Sequence, residues 1–186
     1  MAKQTNNVVT HGLSGKIGDL LVFSQRGGKT IVGKVPQKRK TDTEQQKEHR
    51  RKFQRAVLYA KSALADPEMR EAYGKSAKTG QNGYNVAVAD FFNAPDIHNV
   101  DVSNYTGQSG DAIRIRVTDD FMVKEVKVRI SSADGTLVED GYAAPDAVGY
   151  VWTYIATSTN DDMDGNRIEI IASDLPGNIA VEEKIL

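Results

Sequence analysis

The chain contains no cysteine. That excludes a disulfide framework and any thiolate metal site. Histidine is nearly as scarce. His11, His49 and His98 fall on a loop, a basic helix and a linker, with no nucleophile motif or paired carboxylates beside them, so no enzyme and no cofactor is expected. No apolar run approaches the ~20 residues of a membrane helix. The opening Met-Ala-Lys-Gln-Thr-Asn-Asn lacks the apolar stretch of a signal peptide, so the expectation is synthesis in the cytoplasm without export by the general secretory route. Hydrophobic residues are 39% of the 186, low for one compact globule and too high for a disordered chain.

What the chain does have is charge, unevenly placed. Its net charge is −1, yet residues 1–96 carry 17 Lys and Arg against 9 Asp and Glu, and residues 97–186 carry 7 against 16. Such asymmetry marks modules with different partners, or ends that attract the opposite ends of neighbouring copies. Two domains are expected: a basic one over 1–96 and an acidic one over 97–186.

In the basic half, Val8-Val9-Thr10 reads as a short extended stretch. Leu20 to Phe23 and Thr30 to Val35 flank Gln25-Arg26-Gly27-Gly28-Lys29, which predicts a β-hairpin over 19–35. Gly28-Lys29-Thr30 resembles the end of a phosphate-binding loop, but Phe23 stands where that loop needs glycine, and a strand follows instead of a helix. Thr41-Asp42-Thr43-Glu44 fits a capping box and starts a helix running to about Ala65, with Phe53, Val57, Ala60 and Leu64 as its inner face. Asp66-Pro67 opens a second helix with Met69, Ala72 and Tyr73 inward, and Tyr84 to Phe92 is a third.

On the first helix, Lys47, Arg51 and Arg55 fall at i, i+4 and i+8, with Arg50 beside them and Lys38, Arg39 and Lys40 just ahead. This basic stripe is the candidate partner-binding surface. It reads as a solvated face, a protein contact or a phosphate contact. Glu44 and Glu48 on the same helix, and the absence of interleaved aromatics, weigh against nucleic acid.

After Pro95 the period changes from helical to two. Ile113, Ile115 and Val117 alternate with Arg114 and Arg116; Val126, Val128 and Ile130 alternate with Lys127 and Arg129; Tyr150, Trp152, Tyr154 and Ala156 alternate with Val151, Thr153 and Ile155. Strands are expected near 98–105, 111–118, 123–131, 136–140, 149–157, 166–174 and 178–185. Seven short strands with turn signals between them predict a two-sheet sandwich. The fold class is therefore an α+β front module, a hairpin plus about three helices, followed by an all-β sandwich.

The run Val117-Thr118-Asp119-Asp120, then Val123 to Ile130, Asp134-Gly135, the single Trp152 and Ala172-Ser173-Asp174-Leu175-Pro176-Gly177-Asn178 resemble bacterial immunoglobulin-like or fibronectin-type modules. The resemblance covers 97–186 and implies a seven-stranded Ig-like sandwich. Such modules serve as spacers, adhesive tips and virion decorations, so the likeness implies a fold and no single function. The front half is similar to uncharacterised bacterial proteins, which implies no activity.

The turn Asn160 to Glu169 partly matches a calcium loop. Asp162 and Asp164 are its candidate ligands, with Asp119, Asp120 or Asp174 as neighbours the fold would have to supply. Ile171 stands where the bidentate Glu belongs, so the plain reading is a solvated turn and no metal. The functional expectation is a non-enzymatic structural protein that self-associates or joins a larger assembly of virion or filament type. The front module would anchor and the sandwich would project or join neighbours. The alternatives are a nucleic-acid-associated protein using helix 44–55, and a calcium-stabilised adhesive surface protein.

Overall fold

A computed structural model of the chain describes residues 2–4, 8–37 and 41–186. Lys38, Arg39 and Lys40 of the basic stripe lie outside the described residues. The chain divides into two compact units, Met1–Arg50 and Arg51–Leu186. The division therefore falls inside the first helix and not between residues 96 and 97, where the composition changes.

In the first unit, β1 (Ala2–Gln4), β2 (Gly15–Ile17), β3 (Leu21–Arg26) and β4 (Lys29–Lys34) form an antiparallel sheet ordered β1-β4-β3-β2. The predicted hairpin is its centre. Arg26 pairs with Lys29 across Gly27 and Gly28, whose φ values of 56° and 71° are those a tight two-residue hairpin turn requires. The outer strands are additions to the predicted hairpin, and Val8–Thr10, expected to be extended, is a turn. Only Phe23 and Thr30 are buried among the described residues of this unit.

The first helix, α1 (Glu44–Ala63), is capped by Thr43 and not by Thr41. The Gln46 N–H donates to Thr43 Oγ1 at 3.3 Å, and the Thr43 N–H donates back to Gln46 Oε1 at 3.1 Å. Two capping boxes overlap in this sequence, Thr41…Glu44 and Thr43…Gln46. The second is the one used, and the Thr43 carbonyl accepts the first helical bond, from Lys47 N–H at 3.0 Å.

In the second unit, α1 continues and is followed by α2 (Pro67–Lys75) and α3 (Gly83–Asp90). Asp66 caps α2 as expected, accepting from Glu68 N–H at 2.9 Å, with Pro67 in the first turn. The predicted inner face of α1 is rotated. Ala56 and Ala60 have no exposed surface, whereas Phe53 is 49% exposed and stacks on Phe92 at the rim. Alanines let the helix backbones approach closely around Tyr73, and a phenylalanine there would hold them apart.

The remaining strands are β5 (Asp96–Asp101), β6 (Ala112–Thr118), β7 (Val123–Ser131), β8 (Leu137–Tyr142), β9 (Ala144–Pro145), β10 (Val151–Ile155), β11 (Arg167–Asp174) and β12 (Ile179–Ile185). They form two four-stranded antiparallel sheets, ordered β5-β6-β10-β9 and β12-β11-β7-β8. Each of the seven predicted strands has a counterpart, and two-residue β9 is an eighth. The alternation works as read: Ile113, Ile115, Val117, Val126, Val128, Ile130, Ile168 and Ile170 are all fully buried, and Arg114, Arg116 and Arg129 between them are exposed. Trp152 and Tyr154 complete this single core. Tyr150 does not join it; it lies just before β10 and is 41% exposed. Full burial contributes about 1.5–3 kcal/mol for each such aliphatic side chain.

The helices and the sandwich share this unit because their connections ignore the joint at Pro95. Phe121, between β6 and β7, stacks on Tyr73 of α2 with ring centroids 3.8 Å apart. Asn178 Nδ2, in the last hairpin, donates to the Asp90 and Asn93 carbonyls at 3.2 and 2.9 Å.

One buried carboxylate holds a loop in place. Burial tends to raise the pKa of Glu139, but the Thr157 hydroxyl and the Thr157 and Ser158 N–H groups donate to its Oε2 at 2.7, 2.8 and 3.1 Å and hold it below the ordinary value. This contribution is present above the unfolded carboxylate pKa and is lost as pH falls through the lower folded value. Glu139→Ala leaves those donors unpaired and is expected to cost about 1–3 kcal/mol in urea unfolding at neutral pH, with a smaller difference from the parent in acid.

Candidate functional site

Three carboxylates meet where the helices join the sandwich. Asp90 is the last residue of α3, Asp119 follows the end of β6, and Asp174 is the last residue of β11. One carboxylate oxygen from each lies within 4.8 Å of the others. Asp90 and Asp174 have no exposed surface, and Asp119 is half-buried. Among the described residues, no Lys, Arg or His forms an ion pair with any of the three.

Each carboxylate is held by its own local structure. Asp174 Oδ1 accepts from the Gly177 and Asn178 N–H groups at 2.8 and 2.6 Å, and its Oδ2 accepts from Asn178 Nδ2 at 2.7 Å. Asp119 Oδ2 accepts from the Phe121 and Met122 N–H groups at 3.2 and 3.0 Å. Asp90 Oδ2 accepts from the Tyr73 hydroxyl at 2.6 Å. Since Tyr73 spends its proton there, the Tyr59 hydroxyl, 2.8 Å away, donates to Tyr73. Two oxygens are left over: Asp90 Oδ1 and Asp119 Oδ1 are buried and meet no N–H or hydroxyl donor, so only a proton between the two carboxyls or a cation would satisfy both.

Burial pushes the Asp90 carboxyl up to about 7. The Tyr73 hydrogen bond acts in the opposite direction, and the Asp119 and Asp174 charges, with a hydrogen bond between the Asp90 and Asp119 carboxyls, add to the rise. Burial also raises Tyr73 and Tyr59. The chemistry on offer is oxygen ligation by anionic groups.

The residues singled out from the sequence lie elsewhere. Lys47, Arg50, Arg51 and Arg55 are all on α1 and all exposed. Lys47 pairs with Glu44 at 2.7 Å and Arg50 with Asp42 at 2.8 Å, whereas neither Arg51 nor Arg55 forms an ion pair among the described residues. Asp162 and Asp164 are exposed and belong to no carboxylate cluster among the described residues. Their turn is organised by amides instead. Asn160 Nδ2 donates to the Tyr105 hydroxyl at 3.1 Å, and Asn166 Nδ2 donates to Asn160 Oδ1 at 3.0 Å and to the Asp162 carbonyl at 2.7 Å. Gly107 lies against this turn, where an added Cβ would come within 2.2 Å of the Asn160 carbonyl oxygen. His11, His49 and His98 are exposed. Of the cluster, Asp119 and Asp174 carried a sequence signal as neighbours of a calcium loop, and Asp90 carried none. The one hint was a charged residue in the otherwise apolar run Val86-Ala87-Val88-Ala89. Among the described residues no helix is long and apolar enough to cross a membrane.

No protein-family model matches this chain. No curated protein matches it either. Two solved structures are similar over 48% of the chain. One is CopC from Methylosinus trichosporium OB3b, at 15% identity, 87% of that chain covered and a TM-score of 0.36. The other is an engineered protein, at 21% identity, 19% of that chain covered and a TM-score of 0.35. Similarity at this level carries no argument about function.

The Asp90 shift has a sign that can be checked without a metal. An unfolded Asp90 ionises near ~3.9, whereas the folded one keeps its proton up to about 7. The stability this adds is complete in acid and is lost as pH rises through that value. In the presence of a chelator, the melting temperature of the parent is expected to fall between pH 5.5 and 8 relative to Asp90→Asn, which still accepts from Tyr73. Parallel pH profiles for the two proteins would show that Asp90 is ionised throughout.

Proposed function

We propose that this chain is a non-enzymatic assembly protein. The Met1–Arg50 unit attaches to a multimeric structure of virion or filament type, and the Ig-like sandwich of the second unit projects from it or joins neighbouring copies. The observation that carries this reading is how few side chains are buried among the described residues of the first unit. Its four-stranded sheet buries Phe23 and Thr30, while Val8 is 93% exposed, Val9 82%, Leu20 77% and Ile17 56%. A sheet ordinarily covers one apolar face with another layer. Exposed apolar residues in this number are the mark of a surface that meets another molecule.

Two further features support the same reading. The strand orders β5-β6-β10-β9 and β12-β11-β7-β8 correspond to the A-B-E-D and G-F-C-C′ orders of immunoglobulin-like modules. The opposite charges of residues 1–96 and 97–186 favour a heterologous contact between copies, closing into a ring or extending as a filament according to its geometry. Among the described residues of the stripe, Lys47 and Arg50 are engaged by their own acidic neighbours, which a run of phosphates would have to displace.

The reading predicts concentration-dependent oligomers in light scattering, weakened by high salt. Ile17→Glu combined with Leu20→Glu is expected to lower the association constant at least ~10-fold, or about 1.4 kcal/mol, without lowering the melting temperature of the sandwich. Lys47→Glu, Arg51→Glu and Arg55→Glu together test the electrostatic part. A monomer at every concentration and salt, unaltered by either set of changes, would exclude self-assembly.

A further inference from the structure

We propose that Asp90, Asp119 and Asp174 form a binding site for one hard divalent cation of calcium's size. The two unpartnered buried oxygens, Asp90 Oδ1 and Asp119 Oδ1, carry the argument together with the spacing of the cluster. Buried polar atoms are almost always satisfied, so two carboxylate oxygens that meet no donor group call for a proton shared between them or, once Asp90 ionises, for a cation. Three carboxylates this close repel one another, and among the described residues no cationic side chain forms an ion pair with them. A divalent cation answers both needs at once.

The dimensions suit the ion. Calcium takes oxygen ligands at 2.3–2.6 Å, so oxygens on opposite sides of it stand roughly 4.6–5.2 Å apart. The three oxygens all lie within 4.8 Å of one another, close enough to reach a single ion of that size. The donor set is all oxygen, with no imidazole or thiolate, which selects hard cations over zinc or copper. Tyr73 takes Asp90 Oδ2 and the Phe121 and Met122 amides take Asp119 Oδ2, which leaves both Oδ1 atoms without a donor, while Asp174 Oδ2, accepting one bond from Asn178, keeps a second lone pair. The carbonyl end of α3, which Asp90 terminates, adds partial negative charge.

Access is available through Asp119, which is half-buried and borders a surface hollow lined by Val117, Phe121, Met122 and Tyr150. The ligands come from α3, the β6 end and the β11 end, so a bound ion would tie the helices to both sheets of the sandwich. This site is distinct from the Asp162 and Asp164 turn and independent of the assembly reading.

The test uses the full chain, stripped with chelator and titrated with calcium chloride to about 10 mM at mildly alkaline pH, by calorimetry and by thermal melting. At a calcium concentration about 100-fold above the dissociation constant, the melting temperature is expected to rise by roughly 5–10 °C. Asp119→Asn, at the half-buried position, should weaken calcium at least ~10-fold, and Asp162→Asn with Asp164→Asn should leave it unchanged. Terbium luminescence excited through the protein's aromatic residues and displaced by calcium reads the same site in the unaltered chain, whatever the variants do to folding. Neither heat nor a melting shift with calcium would overturn the proposal and assign the cluster to a shared proton. Equal affinity in Asp119→Asn, or loss of affinity in the Asp162 and Asp164 variant, would overturn it in favour of another site.

Discussion

A carboxylate with no exposed surface is the constraint around which the Arg51–Leu186 unit is arranged. Asp90 ends α3 between the helices and the sandwich, and a buried ionisable group is tolerated only where other groups serve it. Tyr73 serves it with a hydroxyl, Tyr59 serves Tyr73, and Asn178 reaches back from the last hairpin to the Asp90 and Asn93 carbonyls. The ring of Tyr73 in turn stacks on Phe121. Three helices too small to hold a core of their own are thereby fixed to a sandwich that has one. The joint is polar where it is specific and aromatic where it needs area.

The two units manage burial in opposite ways. The sandwich places fully buried aliphatic residues on both inner faces and charged pairs on its outer faces, such as Arg129 with Glu169 and Lys127 with Asp140. The Met1–Arg50 sheet has complete backbone pairing in its central hairpin and, among its described residues, buries only Phe23 and Thr30. Hydrogen bonds alone contribute little net stability, because the same groups bond water in the unfolded chain. A sheet in that state gains most from meeting another surface, which is the physical basis of the assembly reading.

The legible parts of the fold were those encoded by short-range periodicity and turn chemistry. Alternation over Ile113–Val117, Val126–Ile130 and Ile168–Ala172 marked the inner faces correctly, and Gly27-Gly28 marked the hairpin turn. Asp66-Pro67 marked the start of α2. Where two local signals competed, as Thr41 and Thr43 did for the α1 cap, the pattern offered no ranking. Ala60 and Leu64 were read as inward and pack in the helical core, whereas Phe53, read the same way, lies at the rim and Ala56 is buried instead, since close helix packing rewards small side chains over large ones. The site was half legible: Asp119 and Asp174 drew notice within an acidic half, while Asp90 looked like the polar end of an apolar helix. No window of sequence joins residues 90, 119 and 174.

The sequence by itself determined the central hairpin, the three helices, the main sandwich strands and the inner faces of four of them, and the opposite charges of the chain's halves, because each depends on neighbours a few residues apart. Only the tertiary structure decided that the helices belong with the sandwich, that the division falls within α1, and that three distant aspartates converge. Those outcomes depend on which surfaces close against each other, and a buried charge reveals itself only once its surroundings have removed the water.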